Sequence, residues 1–275
     1  MQQRKYSTLY TFGFAAAVCI VCSFLVSTAA VTLQQRQKKN KILDKQINVL
    51  SAIGFIEPGQ SVSEKEVDTL FQDIESVVVD LRSGKVDGSI DPLGFDQQEA
   101  KDDPERSREA PTNRAQVQRI PNHALIYKVL KDNGQLNMLV LPVEGKGLWS
   151  TLYGFLALDS DLRTIRGITF YQHGETPGLG GEIGNPRWQK IWKGRKAFDA
   201  DWDIRIQVIK GKAGPPEQDP YQVDGLSGAT ITARGVTALV QFWLGENGFG
   251  PYLKNLRQKQ QTAQVDAPAR PSGVA

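Results

Sequence analysis

The sequence predicts an α+β protein: one N-terminal transmembrane helix followed by a soluble domain of mixed sheet and helix. Three observations lead there. From Tyr6 through Gln35 no charged side chain occurs. Beyond that run, strand patterns lie next to one another around turn signals while helical patterns come in separate runs, which favours α+β over a repeating βαβ unit. The 275-residue chain is 40% hydrophobic and 23% charged, the balance of a globular protein.

The apolar run comes first. As a helix, the 25 residues from Leu9 to Leu33 would rise about 37 Å, enough to cross a hydrocarbon core of about 30 Å with some tilt. A cleaved signal peptide is the rival, since Arg4 and Lys5 precede the run and Ser27-Thr28-Ala29 offers small residues near its end. Signal cores are usually only about 7–15 residues long, so a retained single-span anchor is expected. Arg4 and Lys5 on one side, against Arg36, Lys38, Lys39 and Lys41 on the other, would put the large domain in the cytoplasm by charge bias alone. The difference is small, and long domains translocate despite such bias.

A net charge of +3 is too small to argue for a nucleic-acid partner, and no basic stripe with interleaved aromatics occurs. Cys19 and Cys22 both fall in the apolar run, which leaves the rest of the chain without a disulfide framework or a thiolate metal site. They read as two small apolar side chains. His123 and His173 are too few for a histidine-rich metal centre, so no metal site is expected.

The predicted divisions are a short flank at 1–8, the transmembrane helix at 9–33, and membrane-proximal helices, a strand and a polar insertion at 34–120. A main domain at 121–255 and a disordered tail at 256–275 complete the chain. Ile42, Ile47, Val49 and Leu50 suit one helix face, ended by Gly54. Ser63-Glu-Lys-Glu66 reads as a capping box, with Val67, Leu70, Phe71 and Ile74 following. Glu75–Leu81 suits a strand. From Ser83 to Val117 the chain turns polar and reads as a surface insertion or mobile loop.

His123–Leu130 and Leu136–Val143 flank Asn133-Gly134, a strong hairpin signal. Leu152–Leu158 and Leu162–Tyr171 repeat the arrangement around Asp159-Ser-Asp161. Ile204, Ile206 and Val208 alternate as another strand, and Pro186–Lys193 suits a short helix. The last helix is expected from near Ser227 to Gly245, with Val236, Leu239, Val240, Trp243 and Leu244 inward. From Arg257 onward Gln, Ala, Pro and Ser dominate, hence the predicted tail.

Two runs carry candidate chemistry. In Asp224-Gly-Leu-Ser-Gly-Ala-Thr230 the ordinary reading is a helix start with Ser227 as N-cap. It does not explain why three small residues lead into a threonine of the first turn. Free amides and the helix dipole there would suit a phosphate, and Ser-Gly-Ala leaves room for a large group at the Thr230 hydroxyl. The residues by themselves support a phosphate site no better than a plain cap. In His173-Gly-Glu-Thr-Pro-Gly-Leu-Gly-Gly-Glu182 the glycines match neither the dinucleotide nor the Walker pattern, and a tight structural loop is the ordinary reading.

In order and together, Glu175-Thr-Pro-Gly-Leu-Gly180 and Asp224-x-x-Ser-Gly-Ala-Thr230 resemble the family of covalently flavinylated FMN-binding domains. Leu141-Pro-Val-Glu-Gly-Lys-Gly-Leu-Trp-Ser150 and its continuation to Leu158, with Asn40-Lys-Ile-Leu-Asp44 after a single span, narrow the likeness to the C-subunit family of sodium-translocating NADH:quinone reductases. The likeness runs from the anchor to about residue 255, without the polar insertion and the tail.

The resemblance implies FMN joined through its phosphate to Thr230 by an FMN transferase that uses magnesium and takes the flavin from FAD. Asp224 would belong to the transferase recognition signal, and Ser227, Gly228 and Ala229 would shape the turn around the phosphate. Glu175, Thr176 and Leu179 would line the flavin. Trp149 would contact the ring, or else be an ordinary core aromatic. Lys210 would meet the ribityl phosphate or a ring carbonyl, or else be a solvated strand end. No catalytic side chain is expected, because the chemistry is electron transfer by the cofactor.

The implied partners are other membrane subunits, among them a second flavin subunit and an iron-sulfur/FAD subunit that oxidises NADH, together with the transferase and the lipid bilayer. Ubiquinone is the implied final acceptor and sodium the exported ion; no NADH or quinone motif occurs in this chain. The implied location is the bacterial inner membrane, single-pass, with the soluble domain periplasmic. Alternatives are the equivalent flavin subunit of an Rnf-type ferredoxin:NAD oxidoreductase and a non-redox anchored scaffold protein.

Overall fold

The computed structural model describes residues 7–57 and 60–265. The chain divides into two compact units, residues 1–45 and 46–275. The first is helical: α1 runs Thr8–Ile53, and its Thr8–Gln34 stretch, with a mean hydropathy of 2.4, is long and apolar enough to cross a membrane. Leu9, Phe12, Phe24 and Val31 are exposed along it among the described residues, large apolar side chains of the kind that suit lipid surroundings. Cys19 and Cys22 are free and exposed there. The predicted separate helix around Ile42–Leu50 is instead the end of α1.

The second unit is built on a six-stranded antiparallel sheet. Its strands are β1 (Ile74–Asp80), β2 (Lys85–Val86), β5 (His123–Leu130), β6 (Leu136–Lys146), β7 (Thr151–Asp159) and β8 (Ile165–Gln172), in spatial order β2-β1-β5-β6-β7-β8. Three consecutive hairpins therefore place sequence neighbours side by side, as the local turn signals predict. Gly134, at φ +76, closes the β5–β6 hairpin. β8 begins at Ile165, three residues later than the apolar pattern suggests, because Leu162 sits in the preceding turn with φ +58.

The period of two sorts residues between the sheet's faces. Val77, Val79, Ile126, Leu139, Leu141, Leu156 and Leu158 share the main core with α5 (Thr230–Leu244). Val236, Leu239, Val240, Trp243 and Leu244 of α5 are all buried, as their spacing predicts. Gly235 makes the approach possible, since a Cβ there would collide with the Lys146 carbonyl of β6. On the opposite face Tyr127 and Phe155 meet ring to ring at 5.9 Å, and Phe71 of α2 (Glu64–Phe71) adds an edge contact with Tyr127 at 5.6 Å. Ser63 and Glu66 form the expected capping box at the start of α2. Thr169 on that face donates its hydroxyl to the Asn48 carbonyl near the end of α1.

Two expectations are corrected. The stretch from Ser83 to Val117 is folded: it holds β2, α3 (Gln97–Asp102) and β3 (Ser107–Glu109), the last paired with β4 (Arg119–Pro121). Ala100, Ser107, Ala115 and Val117 are buried. Lys101 of α3 reaches both carboxylate oxygens of Glu144 on β6, at 2.9 and 3.1 Å. The segment's polarity serves long-range bonds that composition cannot foresee. The supposed tail from residue 256 is helical as far as Val265, in α6 (Gly250–Val265); residues 266–275 lie outside the described set. Asn255 donates to the Ser83 and Gly84 carbonyls, Gln260 to the Ser160 carbonyl, and the Arg257 guanidinium lies 4.3 Å from the centre of the Trp202 ring. These distant partners order a helix whose own composition is poor in core residues.

Smaller elements complete the unit: a 3-10 turn at Gly180–Gly184, α4 (Pro186–Lys190), and the parallel pair β9 (Gln207–Val208) and β10 (Gln222–Val223). The strand expected at Ile204–Val208 shrinks to β9 plus an isolated bridge between Phe198 and Ile204.

Trp243 is fully buried, and its indole N–H donates to the Glu144 carbonyl at 2.7 Å. Trp243→Ala is expected to cost about 3–5 kcal/mol through the cavity it leaves. Trp243→Phe is expected to cost about 1–3 kcal/mol, because the carbonyl stays buried without its donor. Denaturant melts of the two variants check both values.

Candidate functional site

One end of the sheet carries the loops that matter. The β6–β7 register pairs Lys146 with Thr151 and so throws residues 147–150 out as a loop; β7–β8 pairing brings Gln172 opposite Tyr153, so the 173–181 segment leaves at the same end. The first turn of α5 arrives beside them, and one carboxylate ties the three together. Glu175 is 5% exposed. Its Oε1 accepts from the Trp149 amide at 2.9 Å and from the Ser150 amide at 3.1 Å and hydroxyl at 3.3 Å. Its Oε2 accepts from the Leu148 amide at 3.1 Å and from the Thr232 hydroxyl at 2.6 Å. Burial pushes the Glu175 pKa upward, but the bonds from Thr232, Trp149, Leu148 and Ser150 outweigh it, and the group is held below the usual carboxylate value.

The Asp224–Thr230 run lies next to this knot. The Asp224 carboxylate accepts from the Ala213 amide at 3.0 Å, and its carbonyl accepts from the Trp188 indole at 2.9 Å. Leu226 to Ala229 forms a turn closed by the Ala229 amide on the Leu226 carbonyl, with Gly228 at φ +70 in its third position. Only a glycine takes that conformation without strain, and a Cβ there would also lie 3.0 Å from Leu179 Cδ2. The turn overturns the ordinary reading of Ser227. The helix begins at Thr230, Ala229 occupies the N-cap position, and no side chain caps it. The first-turn amides are thus left for another acceptor.

Thr230 and Ser227 are exposed and Ala229 is buried. A cleft of about 610 Å³ opens at Thr230 and Ser227, with Lys210, Lys212 and Arg234 along its walls. Its size is in the range of small-molecule sites. Lys210, which the resemblance placed at the ribityl phosphate or a ring carbonyl, lines the same cleft as Thr230; Lys212 and Arg234, which local patterns did not single out, line it too. Trp149 is 66% exposed, which excludes the core-aromatic reading. Leu148, Leu179 and Ile231 are also exposed apolar side chains on the segments that Glu175 joins. Thr176 is exposed, and its carbonyl accepts from the Leu179 and Gly181 amides, shaping the glycine-rich turn.

The donor set suits a phosphate carrying a large apolar ring. Cations line a cleft with an exposed threonine at an uncapped helix start, and Trp149, Leu179 and Ile231 present exposed apolar side chains on the segments that Glu175 joins. Glu175 faces inward, so its part is to hold loops. Thr232, the partner that closes the knot, was missed by sequence reading; its place three residues into the helix from a bend is the only local hint. Among the described residues no cluster of three metal-ligating side chains occurs.

Comparison with known proteins bears on this arrangement. Residues 147–245 match the family described as FMN-binding domain. The C-subunit of the Na(+)-translocating NADH-quinone reductase of Pseudomonas aeruginosa is 48% identical over 92% of this chain and 97% of its own length. That of Vibrio alginolyticus is 42% identical over 94% and 98%. The crystal structure of Shewanella oneidensis NqrC superposes with a TM-score of 0.72 at 35% identity, covering 81% of this chain and 99% of the crystallised one.

Glu175→Gln replaces one acceptor oxygen by an amide that meets N–H donors head on, and is expected to cost about 2 kcal/mol at pH 7. Because the folded-state pKa of Glu175 is lowered, its contribution is present above the unfolded carboxylate value of about 4.3 and fades as pH falls through the lower folded value. The stability gap between wild type and variant should therefore narrow in acid. Thermal melts at neutral pH and near pH 3 measure it; an unchanged gap would count against an ionised Glu175.

Proposed function

The chain belongs to the C-subunit family of Na(+)-translocating NADH-quinone reductases, and from that premise we propose that it carries FMN esterified through phosphate to Thr230 and relays electrons within such a complex. The carrying observation is the exposed Thr230 hydroxyl at the start of an uncapped helix, in a cleft lined by Lys210, Lys212 and Arg234. Thr230 is the attachment point and has no part in catalysis. The first-turn amides and Lys210 hold the phosphate, and Gly228 with Ala229 keeps bulk away from it.

When bound, the flavin supplies one-electron transfer at a position fixed by its tether. Trp149 and Leu179 give its ring an apolar surface, with Thr176 shaping the turn between them. Glu175 holds the Leu148–Ser150 loop against α5 from behind, so that the Trp149 side chain is presented in one place. Asp224 braces the 209–214 loop through Ala213 and offers the transferase a fixed acidic landmark.

Full-length similarity to quinone-reductase subunits favours this reading over an Rnf-type flavin protein or a scaffold. The same family membership supports partners among the other membrane subunits, including a second flavin subunit and an NADH-oxidising iron-sulfur/FAD subunit, and sodium export coupled to ubiquinone reduction. The apolar Thr8–Gln34 helix supports a single-span anchor in the bacterial inner membrane. The soluble unit stands on the periplasmic side, where flavin subunits of this kind are displayed.

Protein made together with the FMN transferase should fluoresce under ultraviolet light after denaturing electrophoresis, and mass spectrometry should find the added FMN on the peptide containing Thr230. Thr230→Val should lose both signals while its melting temperature stays close to wild type, since an exposed side chain is exchanged. Fluorescence surviving in the Val variant would move the attachment site elsewhere. A C-terminal reporter that works only in the periplasm should be active; an inactive reporter with normal expression would reverse the orientation.

A further inference from the structure

The charge around Thr230 exceeds what a tethered flavin requires. Lys210, Lys212 and Arg234 line one cleft and are all exposed. Among the described residues none of them forms an ion pair with a carboxylate. Asp224, the acid closest in sequence to the attachment threonine, is not among the residues lining this cleft, and its Oδ1 is turned to the Ala213 amide. A phosphate joined to both a threonine and a ribityl chain is a diester with a single negative charge, and the uncapped amides of α5 already face it. One cation balances it, and two remain. Like charges in a shared cleft repel, and their arrangement becomes favourable opposite further negative charge.

We propose that this cleft receives the diphosphate of the flavin donor during attachment, with Lys212 and Arg234 holding the phosphate that departs. The inference rests on the reading of Thr230 as the attachment site. In the transfer, the bond from Thr230 Oγ to the flavin-side phosphorus forms while that phosphorus separates from the bridging diphosphate oxygen. Adenosine monophosphate leaves with the bridging oxygen, and the hydroxyl proton passes to a base of the transferase. The leaving phosphate gains negative charge as the bridge breaks, and the two surplus cations meet that charge. The protein being modified thus contributes part of the donor site, and Lys212 and Arg234 act in maturation more than in the finished flavoprotein.

The full-length chain, purified in detergent from a host lacking the transferase, is incubated with purified transferase, magnesium and a series of FAD concentrations. Covalent flavin is read by in-gel fluorescence. The double variant Lys212→Ala, Arg234→Ala should flavinylate at least roughly tenfold more slowly at limiting FAD, since one charge-assisted contact alone accounts for about that factor, and recover toward wild type at saturating FAD. The charge-keeping exchanges Lys212→Arg and Arg234→Lys should restore most of the rate. Lys85→Ala, in a separate basic cleft between β2 and α6, should match wild type. Equal melting temperatures establish that the variants are folded. A double variant that follows wild type at every FAD concentration overturns the proposal, as does one that is flavinylated normally yet fails to join the other subunits, which would assign the cations to an acidic partner surface. Absence of covalent flavin on the wild type would instead bring down the Thr230 reading itself.

Discussion

The site hangs on one buried carboxylate. Glu175 accepts from three backbone amides and two hydroxyls, and those donors come from the β6–β7 loop and from α5. Each of the amides would otherwise end in a short loop with no partner, and Thr232 would bury an unpaired hydroxyl. A charged acceptor serves them better than a neutral one, since hydrogen bonds to ionised groups are about twice as strong. The cost of burying the charge is met by the number of its donors, which is why its pKa falls despite desolvation. Removing it would release three segments at once.

The same economy of polar groups explains the start of α5. A side-chain cap at Ser227 would have satisfied the first-turn amides and closed the site. The Leu226–Ala229 turn, with Gly228 in the left-handed region, prevents that and brings Thr230 to the surface as the first helical residue. Gly235, one and a half turns on, lets the helix lie against β6. One glycine thus sets the direction of the chain into the helix and another its depth on the sheet. Thr230 is anchored to the main core through Val236, Leu239 and Trp243 of the same helix, while its own side chain stays exposed.

Much of this was legible locally. The β5–β6 and β7–β8 hairpins were readable because alternation and turn residues act within a few positions of each other. The inward face of α5 was readable from a 3.6-residue period. The segment 83–117 and helix α6 were not, because both depend on contacts across the chain. Lys101 finds Glu144, and Asn255 finds Ser83 and Gly84, over separations at which composition carries no signal. The paired motifs around Glu175 and Thr230 pointed to a flavin through family resemblance, whereas their residues alone allowed a cap and a tight loop.

By itself, then, the sequence determined the apolar anchor stretch, the period-two strands, their turns and the small-residue approach to Thr230. All of these follow from side-chain size, polarity and backbone freedom at neighbouring positions. The tertiary structure alone decided that Glu175 faces inward, that Trp149 faces outward, and that Lys210, Lys212 and Arg234 share a cleft with Thr230. Those outcomes depend on which distant loops the sheet register delivers to one end, and on where a buried charge finds its donors. Short-range patterns specify the elements; the meeting of their ends is fixed only when the core closes.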